Sequence, residues 1–142
     1  MRGLKGKTAI VTGAASGIGK AISGRLGEEG CTVCILDLNG DGAEATAADI
    51  QAAGGTAFAY RTDITDRDNV VDSVEKAEKD AGSISILVNN AGWDIPMGFL
   101  ETDRKFWDKV IGINLYGPLN MHHVVLPKIC LLYTSPSPRD RG

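Results

Sequence analysis

Residues 12–19 read Thr-Gly-Ala-Ala-Ser-Gly-Ile-Gly, with an apolar run before them and a helical stretch after them. This junction restricts the fold more than any other feature of the chain. Glycines at 13, 17 and 19 permit a tight strand-to-helix turn and let a ligand come close to the backbone. A helix starting there points free N–H groups and the positive end of its dipole outward, an arrangement suited to phosphate oxygens. The first glycine interval is longer than in the common G-x-G-x-x-G pattern.

The rest of the chain repeats the alternation that this junction begins. Apolar or β-branched runs predict strands at residues 7–12, 31–37, 56–60 and 85–89. Helices are predicted at 17–29, 41–53, 66–81 and from Thr102 onward. Ile18, Ile22 and Leu26 share one face of the first helix. Val70, Val71, Val74 and Ala77 mark the third, with Asp66 as its N-cap, and Phe106, Val110 and Ile113 form a stripe on the last. Apolar strands alternating with helices predict an α/β architecture, a parallel sheet covered on both faces.

Asp37 closes the second predicted strand. A carboxylate there can accept hydrogen bonds from ribose hydroxyls and repels a 2′-phosphate. Ala14, Ala15, Leu38 and Asn39 surround it in sequence and include no base. The pairing of glycine turn and acid therefore predicts NAD as cofactor, in preference to NADP.

Composition removes several other functions. The 142 residues are 43% hydrophobic and 23% charged, with net charge −3, and no basic patch suited to nucleic acid is present. No apolar run is long enough to span a bilayer, and the first residues lack the apolar stretch of a signal peptide. The expectation is a cytoplasmic protein with a small-molecule substrate and neither nucleic acid nor membrane as a partner. Cys31 and Cys34 resemble half of a redox or zinc site, but on a strand two side chains three apart point to opposite faces. His122 and His123 diverge by about 100° on a helix. No metal site is expected from either pair.

With these residues in hand, the chain resembles the short-chain dehydrogenase/reductase family. Residues 12–19 match its glycine fingerprint. Asn89-Asn90-Ala91-Gly92 matches its NNAG motif, Asp63-Ile64 its adenine contact, and Asn114 its catalytic-helix asparagine. Within the family, residues 89–95 and 121–127 are similar to 2-hydroxycyclohexanecarboxyl-CoA dehydrogenases, and 3-oxoacyl-carrier-protein reductases share most of the motifs. The resemblance implies a Rossmann-like doubly wound parallel sheet with strand order 3-2-1-4, truncated after the fourth strand and its following helix. It implies hydride transfer between NAD and a secondary alcohol or ketone, with a hydroxyacyl thioester favoured, in a homo-oligomeric parent, dimer or tetramer. The alternative is a non-catalytic NAD-binding module.

Expected cofactor-binding residues are Gly13, Ser16, Gly17, Ile18, Gly19, Asp37, Leu38, Asp63, Ile64, Asn90, Ala91 and Gly92, with Asn114 as the catalytic residue. Two readings stand for Asn90, cofactor contact or a tie between neighbouring strands. Two also stand for Asn114. Pro118, four residues on, has no N–H to give its carbonyl; this either frees the carbonyl for a water in a proton relay or simply kinks the helix. Trp93 and Trp107 are expected to pack, although Trp93 directly follows NNAG and can border a substrate. The family's catalytic Tyr-x-x-x-Lys is missing, because Tyr60, Tyr116 and Tyr133 are followed four residues on by Ile64, Asn120 and Ser137. Residues 130–140 resemble the in-frame translation of a transposase-type sequencing adapter. The native unit is therefore expected to be residues 1–129, with 130–142 a foreign tail, and the fragment inactive alone.

Overall fold

In the computed structural model, residues 2–133 are described, with side chains as far as Ile129. Four strands, β1 (Thr8–Thr12), β2 (Thr32–Asp37), β3 (Thr56–Arg61) and β4 (Ile84–Val88), alternate with helices α1 (Gly17–Glu28), α2 (Gly40–Ala52) and α3 (Arg67–Ala81). A short 3-10 turn (Phe99–Glu101) then leads to α4 (Arg104–Ile111), a π-helical turn (Gly112–Tyr116) and α5 (Gly117–Tyr133). The strands form one parallel sheet in the order β3-β2-β1-β4, as the resemblance implied. This order sets the ends of β2 and β4 on either side of β1, so the glycine turn after β1 lies between Asp37 and Asn90.

The central strands β1 and β2 are buried on both faces, their alternating side chains meeting a helical layer on each, while β3 and β4 are partly buried. Ile10, Cys34 and Leu36 face one layer and pack with Val70, Val74, Ala77, Met121 and Val125 from α3 and α5. Val11, Val33 and Ile35 face the other and pack with Ala43, Ala47 and Ile50 of α2. Each large side chain so buried contributes roughly 1.5–3 kcal/mol. The two cysteines fall in different layers, Cys34 on β2 in the first and Cys31, just before the strand, in the second, both as free thiols.

Local signals account for the helix starts. Asp66 caps α3 by accepting from the Asp68 and Asn69 N–H groups, as expected. Asn39 caps α2 through the Gly42 N–H, and Asp103 caps α4 through the Phe106 N–H. In α1, however, the expected stripe does not form as one buried face. Ile22 and Leu26 pack against the core and the buried positions are Gly19, Ser23 and Gly27, whereas Ile18 is 74% exposed. Ile18 stands on the first turn, where it lines the cleft beyond the strand ends.

The last helix also departs from the expectation of an unbroken element from Thr102. It begins at Arg104 and widens at Gly112–Tyr116, where the Gly117 N–H reaches the Gly112 carbonyl. The π turn ends two residues before Pro118, which has no N–H to continue the helical ladder. Phe106, Val110 and Ile113 are half-buried; Trp107, Ile111 and Leu115 on the opposite stripe are exposed. Among the described residues β4 pairs with β1 alone, and no helix is long and apolar enough to cross a membrane. The chain runs on in α5 as far as Tyr133, while residues 134–142 of the expected foreign tail, Ser137 included, lie outside the described residues.

Candidate functional site: a nucleotide cleft

A cleft of about 480 Å³ opens at the carboxyl ends of the strands, where open parallel sheets bind ligands. It is lined by every expected cofactor residue except Gly19: Gly13, Ser16, Gly17, Ile18, Asp37, Leu38, Asp63, Ile64, Asn90, Ala91 and Gly92. Leu36, Thr62, Thr65, Trp93 and Ile113 complete the walls. Gly19 supports the cleft from behind. A Cβ there would lie 2.4 Å from both the Gly13 carbonyl oxygen and the Asn90 side-chain nitrogen. The glycine turn therefore closes onto β4, and only hydrogen fits at that contact.

Asn90 makes the tie between strands. Its Nδ2 donates to the Thr12 carbonyl at 3.1 Å and the Gly13 carbonyl at 3.0 Å. The Thr12 hydroxyl in turn accepts from the Asn90 and Ala91 N–H groups, both at 3.1 Å. The two motifs, distant in sequence, become one rigid corner. Asn90 also lines the cleft, so both of its readings are compatible with the geometry.

The first turn of α1 is arranged for an anion. Ser16 stands at the N-cap without a side-chain cap bond, and the turn carries no acidic residue. Its N–H groups and dipole are thus left for a ligand. Gly17 has φ +55°, and a Cβ built on it meets nothing within 4 Å. A side chain there would be strained and would stand in the open cleft. The residues present fit a dinucleotide: a cradle of main-chain donors at the centre and a carboxylate at one end.

That carboxylate is locked in place. Asp37 Oδ2 accepts from the Ala15 N–H and Oδ1 from the Asn39 N–H, both at 2.9 Å. Each oxygen keeps a further lone pair for a hydroxyl donor. Sequence reasoning missed a base close by. Arg61, the register partner of Asp37 on β3, donates from Nε to the Leu38 carbonyl at 3.3 Å and lies against Gly40. Its place was hidden because β3 was expected to stop at Tyr60. Asp63 is bound to its own loop, accepting from the Thr65 N–H at 2.9 Å and the Thr65 hydroxyl at 2.7 Å.

Asn114 lies beside the cleft, not in its lining. Its amide grips the Trp93 backbone, accepting from the N–H at 2.9 Å and donating to the carbonyl at 2.7 Å. A Cβ on Gly92 would come within 2.9 Å of Asn114 Oδ1. The histidines turn to separate partners, His122 to Asn89 and His123 to Arg67.

Glycine turn, acid-tipped second strand and parallel order around a central β1 define a dinucleotide-binding α/β protein. The short chain dehydrogenase family matches residues 7–134, and the chain belongs to that family. The chain is 36% identical over 124 residues to the 3-oxoacyl-[acyl-carrier-protein] reductase of Thermotoga maritima, covering 87% of this chain and 50% of that protein. It is 40% identical over 111 residues to the 2,5-dichloro-2,5-cyclohexadiene-1,4-diol dehydrogenase of Sphingobium indicum, covering 78% and 44% respectively. Among solved structures, a protein described as a D-mannonate oxidoreductase from Haemophilus influenza, with bound NAD, superposes at TM-score 0.83 and 26% identity. It covers 89% of this chain and 51% of that one. The chain thus spans about half the length of the relatives it matches.

Proposed function

We propose that the cleft binds NAD and that this chain is the cofactor-binding half of an oxidoreductase of secondary alcohols and ketones. The observation that carries the reading is the locked Asp37 carboxylate at one end of a cleft whose centre is the uncapped start of α1. Asp37 and Leu38 hold the adenosine ribose, and Asp63 and Ile64 border the adenine. Gly13, Ser16, Gly17 and Ile18 surround the pyrophosphate, with Gly19 keeping the turn tight. Asn90, Ala91 and Gly92 receive the nicotinamide ribose. Bound NAD supplies the hydride acceptor. The corner made by Thr12 and Asn90 holds the cleft open, and Ile113 and Trp93 screen its far end from water.

Asn114 adds a second contribution. While its side chain fixes Trp93, the carbonyl that Pro118 leaves without a helical donor can hold a water for proton transfer. The relative from Thermotoga maritima supports a hydroxyacyl thioester as substrate class. The whole enzyme is cytoplasmic and assembles as a homodimer or tetramer through the exposed stripe of Trp107, Ile111 and Leu115. Residues 1–129 form the native unit and 130–142 a foreign tail. Without a tyrosine followed four residues on by lysine, the chain alone does not turn over alcohols.

Titrating NADH into the purified chain and following nicotinamide fluorescence tests the reading. A saturable rise that NAD displaces, and that excess ketone does not discharge by oxidising the NADH, is expected. A folded chain that leaves the fluorescence of millimolar NADH unchanged would remove the proposal.

A further inference from the structure

The far end of the cleft carries an inference that rests on the NAD reading and goes beyond it. Asp37 and Asn90 end strands on opposite sides of β1, so Trp93, next to the Asn90 corner, stands at the end away from the adenosine ribose. Trp93 lines the cleft. Phe106, with its ring centroid 5.6 Å from that of Trp93, lines a second pocket of about 270 Å³ together with Ile95, Met97, Phe99 and Trp107. Trp93 thus borders the nucleotide cleft, and its neighbour Phe106 borders an aromatic and aliphatic pocket.

It is also braced. The Asn114 amide holds its backbone by two hydrogen bonds, Phe106 abuts the ring at 55°, and Lys109 Nζ sits 3.8 Å from the ring centroid. A fixed aromatic surface gives a flat apolar body contact without an ordering cost. With one face under the Lys109 ammonium, the remaining ring surface offers an open-chain polyol few of the hydrogen bonds that its hydroxyls leave behind in water.

We propose that Trp93 is a specificity-determining residue, the wall that selects secondary alcohols and ketones carried on a ring-shaped apolar body over open-chain polyols. Saturation-transfer NMR on the purified chain, with and without NAD, tests this using cyclohexanol and threitol as probes. Transfer to cyclohexanol is expected to exceed that to threitol at least fivefold. Trp93→Ala removes the difference, Trp93→Phe keeps most of it, and Ile111→Ala, on the exposed opposite stripe, leaves it unchanged. Trp93→Ala retains the main-chain atoms that Asn114 grips, and an unchanged circular dichroism spectrum reports its fold. Equal transfer to both alcohols, no transfer to either, or an unaltered preference in Trp93→Ala overturns the proposal. Failure of NADH to bind is a different result: it overturns the cofactor reading, while ring selectivity measured on the chain without NAD still judges Trp93.

Discussion

Replacing Asp37 perturbs the cleft at the point where its cofactor choice is made. The carboxylate is held by two main-chain donors at 2.9 Å, so its direction is set before any ligand arrives. A hydrogen bond to a charged group contributes about 1.5–3 kcal/mol, and each 1.4 kcal/mol is tenfold, so loss of the ribose contact weakens NADH binding about 10- to 150-fold. The same substitution lifts the repulsion of a 2′-phosphate, so NADPH binding is unchanged or stronger. Asp37→Asn is the sharper variant, since its remaining oxygen keeps one loop bond and the fold, while the charge is gone. The assay is a fluorescence titration of wild type and variant with both reduced cofactors, with melting temperatures recorded alongside. Wild type is expected to prefer NADH more than tenfold and Asp37→Asn to lose most of that preference. Equal affinity of wild type for both cofactors, or an unchanged ratio in the variant at unchanged stability, would refute the reasoning.

Further outcomes follow from other contacts. Arg61→Ala lowers the residual affinity for NADPH and leaves that for NADH unaltered, because its guanidinium stands beyond Leu38 and not at the pyrophosphate; parallel titrations with the two cofactors check it. Gly13→Ala destabilises by at least about 2 kcal/mol in urea melts, since a Cβ at φ +65° would meet the Ala91 Cα at 2.7 Å, whereas Gly17→Ala costs about 1–2 kcal/mol and mainly impairs NADH binding. Burial, assisted by Asp80, pushes the Cys34 thiol up to about 12, and burial with the Asp80 hydrogen bond pushes Tyr60 upward too. Both groups hold their protons more tightly when folded, so stability is intact below about pH 9 and falls as pH rises towards 12, which alkaline melting curves would show. The edge of β4 that is unpaired among the described residues and the exposed Trp107, Ile111 and Leu115 favour self-association; light scattering should detect it, with fast amide exchange along Ile86, Leu87 and Val88. A monodisperse monomer with a protected β4 would show that the half-domain is self-sufficient.

How far the sequence could be read depended on the range of the interactions involved. The strand interiors were legible because β-branched and apolar runs are dictated by burial on both faces. The strand ends were not. Cys31 was expected in β2, but its N–H goes to the Leu26 carbonyl at the end of α1, so the strand begins at Thr32. The β3 ladder extends to Arg61 because Asp37 pairs with it, and β4 begins at Ile84, where its register with Thr8 is irregular. In the cleft, the glycine turn and Asp37 were visible because their conformational and charge requirements are local. An Asn90 tie between strands was one of two readings left open by its place after β4, but its partner Thr12 and the Asn114 grip on Trp93 join residues far apart in the chain, and spacing does not name them. Pro118 signalled a break in the last helix but not its form, since a freed carbonyl is compatible with a kink or with the π turn observed.

The most direct test of the account is amide chemical-shift mapping of the chain as NAD is added. The cleft predicts saturable shifts confined to Gly13–Gly19, Asp37 and Leu38, Asp63 and Ile64, and Asn90–Trp93, lost in Gly17→Val. Saturable shifts centred elsewhere, or none from a folded chain at millimolar NAD, would contradict it.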